Sequence, residues 1–231
     1  MAINVDTVYK TVLLILNQQQ RGYITPDEFN KVGTQVQLGI FEKYMSDLNQ
    51  QLRIPENDSE YGNRVKNIEE RIDIFKRIGD AVYAAPFFDL PAVTDLYRIG
   101  SVIYNDHIEA QMVERNELYL IKKSPLTAPT KEQPIFLYEN KKISLYPTTI
   151  ISDVQVSYIK KPVDVQWNYS VGSLGQFEYN SATSVNFELH DSEQVDVIMG
   201  ILLYSGVIIQ DPTIIQIASQ KVQQEDINEK S

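Results

Sequence analysis

The chain has 231 residues, 43% of them hydrophobic, enough for one large core or two modest ones. It carries 21 Lys and Arg against 31 Asp and Glu, a net charge of −10, which argues against sequence-specific duplex binding because phosphate contacts are made mostly by Lys and Arg. With no Cys at all, disulfides, thiolate metal sites and Cys nucleophiles are excluded.

Residues 4–20 read as a helix with Val5, Val8, Val12, Leu13 and Leu16 on one face. The apolar run Val12–Leu16 follows a single Lys10 and is too short for a secretion signal, and no segment approaches bilayer-spanning length. The expectation is a soluble protein made in a cytoplasm. Thr25-Pro26-Asp27-Glu28 is a strong helix start: an N-cap, a Pro at the first helical position, and a Glu three residues after the cap. The helix it opens carries Phe29, Val32, Val36, Ile40, Tyr44 and Leu48 and is expected to reach about Leu52, before Pro55. Asn57–Asn63 reads as a loop. Val65, Ile68, Ile72, Phe75 and Ile78, spaced by three and four, predict a third helix.

The period then changes. Ala92–Tyr104, rich in β-branched and aromatic residues, predicts one or two strands, and Val113–Lys123 a short helix ended by Ser124-Pro125. Pro134–Tyr138 and Ile143–Tyr146 flank the polar turn Glu139–Lys142 and form the clearest hairpin. Val154, Val156 and Tyr158 alternate with polar residues in a further strand that Pro162 closes; Trp167–Ser184 is a polar loop with a short strand at Phe177–Tyr179. Helical period returns after Asp191, the expected cap, along Val195, Ile198, Ile201 and Leu202, with Gly206 as the expected stop. Asp211-Pro212 opens a last helix along Ile214, Ile217, Ala218 and Val222, and the tail beyond is almost wholly polar. The fold class expected is α+β: N- and C-terminal helices forming a helical bundle with an inserted antiparallel β-sandwich-like region. The corresponding divisions are 1–80, 81–186 and 187–231.

Chemistry is scarce in this pattern. Of the two His, His107 reads as a turn or strand-edge residue beside Asp106 and Glu109, since a metal site needs three or four converging ligands, and His190 reads as the residue leading into a helix. Gly172–Gly175 reads as a flexible loop rather than a phosphate cradle, and no Gly-x-Ser-x-Gly elbow occurs. Lys141-Lys142 and Lys160-Lys161 read as solvated strand ends. No catalytic, cofactor-binding or metal residue is assigned. The 14 Tyr, against 8 Phe and one Trp, suit either a half-exposed strand face or a wet protein interface. The segment around the last helix joint stands out more: Ile208, Ile209, Ile214, Ile215 and Ile217, with Val222, crowd a short stretch followed by a polar tail, and are expected to form a partner interface.

Four stretches carry a family likeness: INVDTVYKTVLLILNQQQRGYITPDEFN (Ile3–Asn30), SPLTAPT with the hairpin after it (Ser124–Tyr146), VSYIKKPVDVQW (Val156–Trp167), and the C-terminal helices from Phe187. Across most of its length the chain resembles the ring-forming head-to-tail connector (adaptor) proteins of tailed phages, most closely those of crAss-like, podovirus-shaped phages. The resemblance implies a non-enzymatic structural virion protein, with no cofactor, made in the host bacterial cytoplasm. It implies a homo-oligomeric ring, commonly of twelve subunits, below the portal. The expected partners are further copies of the chain, the portal protein and other connector or tail ring proteins; genomic DNA would pass through the lumen without specific binding, and no membrane is involved. The alternative is a phage tail receptor- or carbohydrate-binding protein using the Tyr-rich β region. A hydrolase would require Asp and Glu residues to converge in a cleft.

Overall fold

The computed structural model describes residues 2–17, 23–51, 61–91 and 94–209, together with 216, 220 and 223. The chain is α+β and divides into two compact units: Met1–Ile74 with Pro162–Ser231, and Phe75–Lys161. The divisions therefore fall after residues 74 and 161, where sequence reading drew them after 80 and 186.

The first unit holds α1 (Val5–Asn17), α2 (Pro26–Gln51), α3 (Tyr61–Asp73) and α5 (Gln194–Ile209), the last preceded by a short 3-10 turn, Asp191–Glu193. Asn4 caps α1, its Oδ1 accepting from the N–H groups of Asp6 (2.8 Å) and Thr7 (3.1 Å). At α2 the expected capping box is present: the Thr25 N–H donates to Glu28 Oε2 at 2.9 Å and the Glu28 N–H to Thr25 Oγ1 at 3.3 Å. The Thr25 hydroxyl, which donates to Glu28 Oε2 at 2.7 Å, and then the Thr25 N–H hold the Glu28 carboxyl below its ordinary range. Val5, Val8, Tyr9, Val12 and Leu16 of α1 and Phe29, Val36, Phe41 and Tyr44 of α2 are buried, as the helical period requires.

Four local expectations are corrected here. Tyr61–Asn63 belongs to α3 rather than to a loop, and α3 ends at Asp73, so Ile78 lies on a strand and is exposed. The cap before α5 is His190, not Asp191: its ring accepts from the Ser192 N–H at 3.3 Å. Gly206 does not stop α5, which runs on to Ile209; a glycine costs a helix roughly 1 kcal/mol relative to alanine but ends it only where a left-handed residue is needed.

The second unit is an eight-stranded sheet ordered β1-β8-β4-β5-β6-β7-β3-β2. Its strands are β1 (Lys76–Asp80), β2 (Val82–Ala84), β3 (Phe87–Asp89), β4 (Leu96–Tyr104), β5 (Ile108–Met112), β6 (Ile135–Glu139), β7 (Lys142–Tyr146) and β8 (Val154–Lys160). The two edges, β1 and β2, are separated in the chain by Ala81 alone, so the sheet must curl until its edges approach. It is one curled sheet rather than two facing ones, and curling leaves little free edge. Nor is it antiparallel throughout. β5 and β6 pair in parallel, Gln111 with Ile135 and Met112 with Phe136, and the crossover a parallel pair demands is α4 (Arg115–Lys123) with the loop after it. The β6–β7 hairpin turns on Asn140 and Lys141, both at positive φ (51° and 57°), as the tight mirror-image hairpin turns require.

The alternation of β6 divides two cores. Phe136 points into the main cluster with Phe88, Val102, Ile143, Leu145, Val154 and Val156, while Ile135 and Leu137 pack with Val113 and Leu118 beneath α4. That is why β6 is apolar at consecutive positions although its side chains alternate in direction. The loop Trp167–Ser184, in the first unit, contains a separate hairpin of β9 (Tyr169–Val171) and β10 (Phe177–Tyr179), one strand more than expected.

Candidate functional site

The most organised polar structure lies along α2 of the helical unit. Asn30, Thr34 and Gln37 fall at i, i+4 and i+7, one side of a helix, and they bond to backbone from the C-terminal part of the chain. The Trp167 N–H donates to Asn30 Oδ1 (2.7 Å), the Val165 N–H to Thr34 Oγ1 (3.1 Å), and Gln37 Nε2 to the Val163 carbonyl (2.7 Å). Gln37 also accepts from the Glu188 N–H (2.8 Å), and the Glu188 carboxylate accepts from the Val163 N–H (3.1 Å). Side chains of a helix here do what a neighbouring strand would do for segment 163–167. Sequence reading assigned these positions no role, because polar residues on a helix carry no mark of which backbone they will meet.

Aromatic rings continue this construction outward. Phe29 and Tyr9 meet edge to face at 4.8 Å, Tyr9 lies 4.4 Å from Trp167, and Trp167 stacks on Tyr179 of the β9–β10 hairpin at 5.7 Å and 25°. Trp167 Nε1 donates to Asp6 Oδ1 at 3.1 Å. Burial pushes the Tyr9 hydroxyl well above its ordinary pKa. The hairpin so anchored holds Leu174 out at its tip, 92% exposed.

A cleft of about 250 Å³ opens in the same unit between α2 and α5, with α3 at one end. Two glycines shape it. A Cβ on Gly200 would stand 2.8 Å from Val36 Cγ1, so this residue lets α5 close on α2; a Cβ on Gly39 would meet nothing within 4 Å, so its missing side chain leaves the cleft open. The apolar wall is Val36, Ile40 and Leu203, and the polar wall includes Asp47, Arg71, Glu193 and Asp196. Arg71 and Glu193 form an ion pair at 3.1 Å in which the Glu193 side chain is 5% exposed and that of Arg71 33%. The Arg71 guanidinium also lies 5.8 Å from the centre of the Tyr44 ring.

The charges there do not balance. Burial raises the Glu193 carboxyl above the ordinary carboxylate range; Arg71 opposes this and Asp196 adds to it. Tyr44, 4% exposed, lines the cleft beside Glu193, and its hydroxyl makes no hydrogen bond of ordinary length and angle, though it interacts with the Glu193 carboxyl. Its pKa is raised, by burial first and then by the charge of Glu193. Sequence reading placed Tyr44 in an apolar stripe and missed Arg71 and Glu193, which lie on different elements 122 positions apart and share no local spacing.

Of the residues expected to form a partner interface, Ile208 and Ile209 fall in the last turn of α5, while Ile214, Ile215, Ile217 and Val222 lie outside the described residues. His107 sits in the exposed turn between β4 and β5, paired through its ring with the Asn105 carbonyl, and His190 in the cap of Asp191–Glu193. Among the described residues no group of three or more His, Asp or Glu is placed to hold a metal ion, and no helix is long and apolar enough to cross a membrane. No protein-family model matches the chain, and no curated protein matches it.

Proposed function

We propose that the chain is a structural subunit of a phage head-to-tail connector: a multi-subunit ring below the portal, with a DNA channel and a docking surface for tail components. The observation that carries this reading is the two-unit organisation. Both ends of the chain contribute to one helical unit, and Phe75–Lys161 is inserted between them as a sheet with its own core. The resemblance implies a division of this kind, with a bundle of terminal helices for the ring wall and a β insertion for contacts with tail parts. Packing of α5 on α1 and α2 supports the bundle. Exposed apolar side chains supply candidate contacts in each unit: Leu14 and Leu174 in the helical one, Leu120 and Leu126 in the β one.

Ring contacts are heterologous, so each subunit must offer two different surfaces. With a net charge of −10, the subunit suits a channel that lets DNA slide without holding it. Mass measurement of the purified, assembled protein tests the proposal. A closed ring of many copies, about twelve, is expected; a stable monomer or trimer that binds glycans would favour the receptor-binding alternative instead. A ring whose channel is lined continuously by Lys and Arg would overturn the channel part of the reading.

A further inference from the structure

We propose that the β9–β10 hairpin is a joint between copies of this chain, in which the β10 edge of one copy pairs antiparallel with the β9 edge of the next. The inference rests on the ring reading and deepens it, by naming the two unlike surfaces that a heterologous contact needs. Backbone bonds fix the hairpin's phase. At the tip the Gly172 N–H donates to the Gln176 carbonyl at 2.8 Å and the Gly175 N–H to the Gly172 carbonyl at 3.0 Å, with Gly175 at φ 81°. At the base the Asn180 N–H donates to the Asn168 carbonyl at 2.9 Å. Between these ends Tyr169 stands opposite Tyr179, Ser170 opposite Glu178 and Val171 opposite Phe177. Bonded and non-bonded pairs alternate in such a ladder, so Ser170 and Glu178 turn their backbone groups inward. Tyr169 and Val171 on β9, and Phe177 and Tyr179 on β10, turn theirs outward to the two edges. Among the described residues no further strand pairs with either edge.

The side chains follow the same alternation. Tyr169, Val171, Phe177 and Tyr179 share one face, and Ser170 and Glu178 the other. Trp167 packs against the inner part of the apolar face, 5.8 Å from Tyr169 and 5.7 Å from Tyr179. The outer part lies open, with Val171 65% and Phe177 42% exposed. A strand added at an edge supplies both backbone partners and apolar cover. It must run antiparallel and carry apolar side chains where its backbone bonds outward. β10 offers this to β9, and β9 to β10, in the register the hairpin itself uses. Charge selects that pairing. β10 against β10 would set Glu178 directly opposite Glu178, whereas β10 against β9 sets it opposite Ser170. β9 against β9 would leave the edge of β10 open. Unlike edges joined copy after copy close into a ring.

The full chain has no Cys and a single Trp, so each can serve as a unique reporter. Ser170→Cys and Glu178→Cys are made as separate variants. Across the joint these positions form a non-bonded pair with Cα atoms about 4.5 Å apart, within disulfide reach. Mixed and oxidised, the two variants are expected to give a disulfide-linked dimer that neither gives alone. Val171→Pro removes the outward N–H of β9 and none of the hairpin's own bonds. Added to the Ser170→Cys variant, it is expected to abolish the dimer while Trp167 fluorescence stays unchanged. Mass measurement of the unmodified protein separates the possible failures. Rings without the mixed cross-link would overturn this inference and leave the connector reading standing. Monomers without it would overturn both. Dimers from either Cys variant alone would show like edges pairing, and a dimer that survives Val171→Pro would show that the backbone edge is not the contact; each overturns the inference.

Discussion

The helical unit and the β unit bury their backbone polar groups by different means. In the β unit, strand ladders do most of this, and each buried cluster is apolar: Phe88, Val102, Phe136 and Ile143 in one, Val113, Leu118, Ile135 and Leu137 in the other. In the helical unit, segment 163–167 has just one isolated bridge of strand type, Gln166 to Val185, and hangs otherwise on side chains of Asn30, Thr34, Gln37 and Glu188. A ladder tolerates exchange of any one side chain because the backbone makes the bonds. A clamp made of side chains fails where the side chain is lost. The helical unit is therefore more sensitive to polar substitution, and the β unit to loss of apolar volume.

Replacing Phe136 by Ala should give the largest effect. Its ring is fully buried in the main β cluster, and large-to-small changes of this kind cost about 3–5 kcal/mol. Urea unfolding followed by hydrogen exchange should show amides of β4, β6 and β8 losing protection, with those of α1 and α2 spared; equal loss in both units would erase the distinction.

Gln37→Leu should come next. It keeps the volume roughly constant but strips the Val163 carbonyl and the Glu188 N–H of their partner, and unsatisfied groups cost about 1–3 kcal/mol each, less where water can reach them. A destabilisation of about 2 kcal/mol is expected, read from the urea midpoint, with exchange protection lost first in the helical unit. A neutral Gln37→Leu would mean that the clamp contributes nothing and that apolar packing alone holds segment 163–167.

The smallest effect sharpens the same contrast through pH. Glu193 has its carboxyl raised above the unfolded value, so between the two values the folded chain binds more protons than the unfolded one. Its contribution is complete below the ordinary carboxylate value and is lost as pH rises through the raised folded one, so stability should decline across that window. Glu193→Gln should flatten this part of the stability–pH curve. A slope unchanged in the variant would assign the pH dependence to other carboxylates, among them Glu28. The contribution of Glu28 runs the opposite way, because its lowered value makes stability fall as pH drops.

Local chemistry was legible where one stretch of chain contained the whole cause. Thr25 and Glu28 lie three residues apart and cap each other, so their sequence already specified the start of α2. The β6–β7 hairpin and α4 were equally readable, each having its turn or helical period within about a dozen residues. The three-and-four spacing of Ile72, Phe75 and Ile78 misled, because Lys76–Asp80 pairs with Gln155–Ile159, and a partner so distant leaves no trace in the local period.

What the sequence determined by itself was the set of short-range elements, the acidic balance and the absence of Cys chemistry. Each depends on composition or on residues within a turn or two of one another. The tertiary structure decided the rest. It set which face of α2 is solvated and which is clamped, since that depends on backbone arriving from residues 163–188. It curled the sheet, since Ala81 joins the two edges only once all eight strands are in order. And it brought Tyr44, Arg71 and Glu193 to one cleft, because proximity across three elements follows from how helices pack, and no spacing along the chain encodes it.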